Sequence, residues 1–376
     1  MRVGFNARLL YSPELRGWNR YTINLLSELA SLGVELLLYS DRSLHESHRA
    51  RLPEKSYQVR VAPPMRYVLW EQRWLPEQFI KDAIDVFHCP INFGLPWISA
   101  CPRILTLHDA IDQIYYRPTS WRQKLNPRAL QVRAHHWIAR TRAENVITVS
   151  ERSKRDLVRH LNIPAEKIHV VYEAADEIFQ RPIFKDEGNR IRRKYGLEKP
   201  YVFYVGGYEG RKNVKFLLKA CAIATLKDVE LVLAGDGRDQ KVELLELAST
   251  LGVSGQIRLL GYVEDTDLPP LYRESLCFVY PSRYEGFGLQ LCEAMASGTP
   301  IFAASSSCLP EILGDGGQTF SLDSIEELVS YLRRIALEPE YREVLSQKSR
   351  RRSSEFSWSK TAERTLGVYN KTLGFD

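Results

Sequence analysis

The 376-residue chain contains no run approaching the roughly 20 apolar residues needed to span a bilayer. It therefore offers no candidate transmembrane helix. Its first residues, Met1-Arg2-Val3-Gly4-Phe5-Asn6, break their apolar character at once. That is the pattern of a first buried strand and not of a secretory signal. Only six cysteines occur: Cys89, Cys101, Cys221, Cys277, Cys292 and Cys308. None forms a CxxC pair or a Cys/His cluster with zinc spacing, so a zinc site is not expected. They read as small buried hydrophobes of a reducing compartment. Internal repeats and low-complexity tracts are also missing. With 44% apolar and 26% charged residues, the composition excludes large-scale disorder, collagen and coiled coil. The length suggests two domains.

The charge is uneven. Residues 1–180 hold 25 Lys/Arg against 19 Asp/Glu, whereas residues 181–376 hold 27 of each. The whole excess of +6 thus lies in the first half, which points to an acidic partner there. Residues 119–142 carry Arg122, Lys124, Arg128, Arg133, Arg140 and Arg142 with no acid, interleaved with Trp121, His135, His136 and Trp137. Two readings of this stretch stand side by side. It is either a peripheral contact with an anionic membrane or a solvated helix face with two buried tryptophans.

Short apolar segments alternate with amphipathic ones. Strands are expected at 2–5, 34–39, 85–88, 103–107, 145–149 and 168–171. A helix over 21–32 would place Ile23, Leu25, Leu26, Leu29 and Ala30 on one face and end at Gly33. Ser150 is suited to cap a helix starting at Glu151. A polar stretch at 185–190, within a joint near 178–198, separates this series from a second one. There, strands are expected at 201–205, 230–234, 257–260, 276–280 and 300–303, and helices at 214–224, 289–296 and 325–336. Such alternation implies parallel sheets covered on both faces, and two series imply two doubly wound domains. Ligands of such sheets bind beyond the C-terminal strand ends.

The most informative segment is Tyr284-Glu285-Gly286-Phe287-Gly288-Leu289-Gln290-Leu291-Cys292-Glu293, which follows the strand at 276–280. The helix N-terminus offers unpaired N–H groups and partial positive charge to a phosphate. Gly286 and Gly288 allow close backbone approach. Glu293, about one turn into the helix, is placed to accept ribose hydroxyls, and Glu285 precedes the helix where a sugar would lie. The competing reading is a capped helix with two surface acids. Arg211 and Lys212 follow Gly206, Gly207 and Gly210 within a few residues, and fixed cations suit a phosphoryl leaving group. His108 stands at the end of the strand at 103–107. Asp265-Thr266-Asp267 directly precedes a proline-led segment, so Asp267 reads as a helix cap and not as a metal ligand. The 206–211 turn is neither a P-loop nor GxGxxG, which argues against a nucleoside triphosphatase and a nicotinamide enzyme.

The Glu285-x7-Glu293 pair in YEGFGLQLCEAMASGTP resembles the E-x7-E signature of family 4 retaining glycosyltransferases (glycosyltransferase group 1), which have the GT-B fold. The resemblance covers nearly the whole chain. Tyr204-Val205-Gly206-Gly207 with Arg211-Lys212-Asn213 is similar to the family's phosphate-binding turn. Leu233-Ala234-Gly235-Asp236-Gly237, Leu260-Gly261-Tyr262-Val263 and Ser307, Leu309, Pro310 and Glu311 match further landmarks of its second domain. In the first half, Asp85-Val86-Phe87-His88, Thr106-Leu107-His108-Asp109 and Val149-Ser150-Glu151 also fit. Two segments depart from the pattern. Arg16-Gly17-Trp18-Asn19-Arg20-Tyr21 has one glycine where the family is glycine-rich, and Gly206-Gly207 stands where many members carry Gly-Arg. The leaving-group cation is then either Arg211 or Lys212 alone.

The resemblance implies an α/β chain of GT-B type, with two doubly wound Rossmann-like domains facing a central cleft. The expected division is 1–178 on the acceptor side, 179–355 for the nucleotide sugar, and a C-terminal helix within 356–376 crossing back. Trp358 would either anchor that crossing or pack wholly within the second domain. The implied activity is retaining hexosyl transfer, of the mannose or glucose type. The donor is a nucleotide-diphosphate sugar and the acceptor a glycan or lipid-linked hydroxyl, in cell-surface polysaccharide or glycolipid biosynthesis. The implied catalytic residues are His108, Arg211, Lys212 and Glu285. Gly206, Gly207, Gly288, Leu289 and Glu293 would bind the donor, and Gly17, Arg20 and Tyr21 the acceptor. Neither metal, cofactor nor nucleic acid is expected. The implied place is the cytoplasm, with peripheral contact at the inner membrane face left open. The alternatives are a nucleotide-sugar epimerase or hydrolase of the same fold, and a non-catalytic basic surface-binding protein.

Overall fold

A computed structural model describes residues 1–13, 17–52, 56–116, 120, 125–182, 184–226, 228–237 and 240–375. The chain divides into two compact units, residues 1–173 with 357–376, and residues 174–356.

The first unit is built on a parallel sheet of β1 (Arg2–Asn6), β2 (Glu35–Ser40), β3 (Tyr57–Val61), β4 (Val86–Cys89), β5 (Arg103–Thr106), β6 (Asn145–Thr148) and β7 (Ile168–Val170). Their order is β3-β2-β1-β4-β5-β6-β7. Helix α1 (Gly17–Ser31) starts four residues before the expected position, and Tyr21, Leu25, Leu26 and Leu29 on it are buried. Helices α2 (Pro127–Arg142) and α3 (Glu151–Leu161) follow. Ser150 caps α3, its Oγ accepting from the Ser153 amide at 3.0 Å.

The second unit holds β8 (Tyr201–Val205), β9 (Glu230–Ala234), β10 (Ile257–Gly261), β11 (Cys277–Tyr280), β12 (Ile301–Ala304) and β13 (Gln318–Phe320), all parallel, ordered β10-β9-β8-β11-β12-β13. Its helices include α4 (Val214–Ala224), α5 (Leu268–Glu274), α6 (Leu289–Ala296) and α7 (Pro339–Ser353). The last helix, α8 (Trp358–Leu373), belongs to the first unit. It packs on α1, Thr361 Oγ1 donates to the Tyr172 carbonyl at 2.7 Å, and Trp358 lies edge-on to Tyr21 at 6.1 Å.

Central strands are buried on both faces, β4, β5, β9, β11 and β12 at every residue, because helices cover each side. In each sheet the strand order reverses between its first and fourth strands, β1/β4 and β8/β11. Doubly wound sheets bind ligands at such a crevice, beyond the C-terminal strand ends.

Two expectations are corrected. The polar stretch at 185–190, read as part of the joint between the two series, is the start of a helix, Lys185–Tyr195, which buries Ile191 and closes on Gly196 with φ +64°. Asp267 does occupy the cap position of α5, yet its side chain makes no capping bond. It accepts instead from Arg190 at 2.8 Å, from Tyr195 at 2.9 Å and from Lys194. With its carboxylate held by two cations, the Asp265/Asp267 pair is a poor metal ligand.

Candidate active site

The β8 and β11 ends bring together residues that are more than 70 positions apart in the chain. After β8, the single turn Gly210–Lys212 presents Arg211 and Lys212. After β11, the chain runs through Ser282 to Glu285. Lys212 Nζ donates to Glu285 Oε1 at 2.8 Å, and Arg211 Nη1 donates to Oε2 at 3.1 Å. Ser282 Oγ adds a third bond to Oε1 at 2.6 Å. Lys212 and Glu285 are 7% and 8% exposed, so the pair is nearly shut off from solvent. Burial alone would raise the Glu285 pKa, but Lys212 and Arg211 outweigh it and hold the carboxyl below its ordinary range. Glu285 is thus a charged carboxylate between two cations, and the cluster keeps one net positive charge.

Further residues set this geometry. Lys212 Nζ also donates to Tyr280 Oη at 3.1 Å, and that hydroxyl donates to Gln290 Oε1 at 2.9 Å. Burial and the nearby Glu285 charge raise the Tyr280 pKa, which keeps the phenol neutral. Ser307 holds the Glu285 backbone from both sides, accepting from its amide at 3.2 Å and donating to its carbonyl at 2.7 Å. It does so at φ +53°, a conformation uncommon for a residue with a side chain. Tyr280, Ser282 and Gln290 were given no role from the sequence, although Tyr280 and Ser282 flank the strand end there; Ser307 opens the family-like segment noted in the sequence.

Gly288 takes the N-terminal cap position of α6 at φ +88°, with Leu289 as first helical residue. Glu293, one turn on, is 5% exposed, and Tyr272 Oη donates to its Oε2 at 3.0 Å. Glu285 and Glu293 are therefore buried acids, which removes the reading of two surface acids. Gly206 and Gly207 extend β8, and here glycine matters at the neighbouring strand end. A Cβ on Gly235, at φ +123°, would fall 2.1 Å from the Gly206 carbonyl oxygen.

The remaining candidates lie in the first unit. His108 follows β5 and is 6% exposed. Its Nε2 donates to the Pro90 carbonyl at 3.0 Å, and its Nδ1 faces Glu173 Oε1 at 2.9 Å. Burial lowers its pKa, yet the bond and charge of Glu173, with the Pro90 carbonyl, give a net rise. With acceptors on both nitrogens, the geometry favours an imidazolium. Tyr21 packs edge-on against the His108 ring at 4.8 Å, fully buried, its hydroxyl 3.1 Å from Thr106 Oγ1. Arg20 is also buried, while Gly17 opens α1 on the surface. The two groups of candidates thus fall in separate units: Arg211, Lys212, Glu285, Gly206, Gly207, Gly288, Leu289 and Glu293 in one, and His108, Gly17, Arg20 and Tyr21 in the other.

Two family models match the chain, that of glycosyltransferase family 4 over residues 15–177 and that of the group 1 glycosyl transferases over residues 187–352. The O-antigen chain mannosyltransferase B of Escherichia coli is 31% identical over 295 residues, 77% of this chain and 75% of that protein. The chain belongs to the group 1, family 4 glycosyltransferases. An MMP α-(1→4)-mannosyltransferase of Mycolicibacterium hassiacum is 32% identical over 237 residues, 61% of this chain and 54% of its own. Among solved structures, a glycosyltransferase from Rickettsia africae superposes with a TM-score of 0.76 at 17% identity, covering 100% of this chain and 99% of that one. HepE from Anabaena, solved with UDP and glucose, gives 0.76 at 18% identity over 98% of both chains. At these identities the likeness establishes the GT-B fold of the glycosyltransferase.

Of the basic stretch, Trp121, Arg122, Lys124 and the Arg128 side chain lie outside the described residues. Trp137 is not buried: it stacks on Trp97 at 4.1 Å and stays 40% exposed. Arg142 covers the other tryptophan, its guanidinium 4.2 Å from the Trp97 ring centre. Among the described residues no helix of this glycosyltransferase is long and apolar enough to cross a membrane.

Proposed function

We propose that this glycosyltransferase moves a hexose, of the mannose or glucose type, from a nucleotide-diphosphate sugar to a hydroxyl of a glycan or lipid-linked acceptor. The product would be a cell-surface polysaccharide or glycolipid. The observation that carries this reading is the Arg211–Lys212–Glu285 cluster beyond β8 and β11, in which Lys212 and Glu285 are buried. A departing nucleoside diphosphate gathers negative charge on its terminal phosphate. Cations already fixed in a desolvated place stabilise that charge without reorganising. In this reading Lys212 and Arg211 hold the diphosphate, and the Gly288 and Leu289 amides reach its phosphate. Gly206 and Gly207 let the backbone close on it, Glu293 takes the ribose hydroxyls, and Glu285 the sugar hydroxyls. Because side chains supply the positive charge, the reaction needs no metal.

On the acceptor side the reading uses Gly17, Arg20 and Tyr21, while His108 contacts the donor sugar and steadies the transition state. The anomeric carbon–phosphate oxygen bond breaks and a bond from the same carbon to the acceptor oxygen forms on the same face. The acceptor proton passes to the departing phosphate, and the configuration is retained. The mannosyltransferase names of the relatives and the UDP and glucose held by the Anabaena structure support the donor class. The basic, aromatic α2 supports a peripheral contact with anionic membrane and a cytoplasmic place at its inner face.

A panel of nucleotide sugars screened by thermal shift identifies the donor, since a ligand stabilises the folded state by mass action. NMR of the product made from that donor then reads the anomer. Retention is expected. Inversion contradicts the proposed chemistry, and rapid consumption of donor without any acceptor points to an epimerase or hydrolase.

A further inference from the structure

The sheet of the first unit ends at β7, the last strand in its order. A groove of about 380 Å³ runs along that edge, between α3 and α8. The two helices cover opposite faces of the sheet. Helix α3 is the crossover from β6 to β7, whereas α8 packs on α1, the crossover from β1 to β2, which runs toward the other end of the sheet. With both crossovers right-handed, α1 and α3 fall on opposite faces.

Alternate residues of a strand turn their backbone groups to the same side. The Val171 amide donates to the Thr148 carbonyl at 2.8 Å, so Val171 and His169 face β6, and Ile168, Val170 and Tyr172 face outward. Thr361 takes the Tyr172 carbonyl, and the Ile168 amide donates to Ala165. The Val170 amide and carbonyl have no partner among the described residues. An edge of this kind is a template for another strand.

Cations surround it. Lys154 of α3 and Arg364 of α8 line the groove, with Glu151 the one acid among the described lining residues. Burial, then the charges of Lys371 and Lys154, lower the pKa of His169 on the strand itself. Among the described residues no acid pairs with Lys154, Arg364 or Lys371; Arg364 turns only to the Tyr172 ring, 5.9 Å from its centre. Gly367 also lines the groove, exposed in the middle of α8, where glycine weakens a helix relative to alanine. A Cβ there would meet nothing within 4 Å, so packing within the unit does not demand glycine. Glycine facing open space lets a second backbone come close.

These features narrow the occupant. A phosphate would suit the cations and the Val170 amide but would face the outward carbonyls. A second copy of this edge would bring like charges together. A peptide strand carries donors and acceptors along its edge, and acidic side chains answer the cations on both faces.

We propose that the groove along β7 docks an extended acidic segment of a partner protein, which adds to the sheet as a strand and turns carboxylates to Lys154 on one face and Arg364 on the other.

Full-length protein is probed with an array of synthetic octapeptides whose positions carry Asp, Glu, Ser, Val or Lys. The strongest acidic member is then titrated by fluorescence anisotropy. Acidic peptides are expected to be retained and lysine-bearing ones not. N-methylation of the odd or of the even residues leaves the charge intact and removes donors from one edge of the strand. One of the two forms should bind about 10-fold more weakly and the other should not, because only one edge meets β7. Lys154→Ala with Arg364→Ala should weaken binding about 10-fold, the joint effect of two partly exposed ion pairs. Gly367→Leu fills the groove while favouring the helix, so it should block the peptide without lowering Tm. Circular dichroism verifies the fold of each variant. Retention of no acidic peptide, or binding that Gly367→Leu leaves unchanged, overturns the docking site. Equal binding by both N-methylated forms marks a plain anion site and overturns strand addition.

Discussion

Glu285 shows how single residues are shaped by their surroundings. Left alone, a buried carboxyl would take up a proton; between Lys212 and Arg211 it stays charged and fixes both cations in place. Glu71 is the opposite case, since burial dominates and its carboxyl rises from 4.5 to about 7. Below the unfolded value both states hold the proton. Between the two values the folded chain keeps a proton that the unfolded chain has lost, so stability falls as pH rises through that window. Glu71→Gln removes this slope. Denaturant melts should show the variant matching wild type near pH 4.5 and exceeding it above pH 7 by on the order of 2–3 kcal/mol. Parallel pH profiles would contradict the assignment. Of these residues, Lys212, Glu285 and Glu293 were legible in the sequence one by one. Their ion pairing was not, because it exists only where β8 lies beside β11. Glu71 escaped notice altogether; its signal was an acid set between tryptophans in Trp70-Glu71-Gln72-Arg73-Trp74.

At the scale of elements, Asp267 acts as a staple. It opens α5 while its carboxylate binds three side chains of the Lys185–Tyr195 helix. Burial raises its pKa, but the bonds from Lys194, Arg190 and Tyr195 win and lower it. The staple is therefore whole above the ordinary carboxylate range and is lost as pH falls through the depressed value. Asp267→Asn should speed amide exchange across residues 185–195 by roughly 10-fold at neutral pH, as local opening becomes easier; unchanged exchange would show that the helix is held otherwise. This helix was unreadable in advance because its first turns are almost wholly polar. Helix α7 was missed for the same reason, with Leu345 and Ser349 its buried residues. Strand β3 alternates only weakly and lies at a sheet edge, and β13 has three residues. Strands buried on both faces, such as β9 and β11, were found to within a residue because their apolar runs are unbroken.

Across the whole molecule, each unit places polar groups at the point where its strand order reverses. In the second unit these are the Arg211–Lys212–Glu285 cluster; in the first, Asn6 ends β1, while His108 lies further along the sheet, beyond β5. The first unit also carries the chain's excess positive charge, part of it on α2 beside the exposed Trp137. Attraction of that kind to an anionic surface is screened by salt. Liposomes rich in anionic lipid should therefore sediment the protein at low ionic strength and release it at high; no sedimentation at low salt would remove membrane contact from the proposal.

The central claim is that Lys212 and Arg211, the cations paired with Glu285 beyond β8 and β11, bind the donor diphosphate. Its most direct test is calorimetric titration of UDP and GDP into wild type, Lys212→Ala and Glu293→Ala, with turnover measured on the same samples. The account predicts that wild type binds one of the two nucleotides and that Glu293→Ala mainly weakens that binding. Lys212→Ala should also weaken it and cut kcat by about 10²–10³, the usual effect of removing one preorganised charge-stabilising group. Affinity and turnover near wild type in both variants would contradict it.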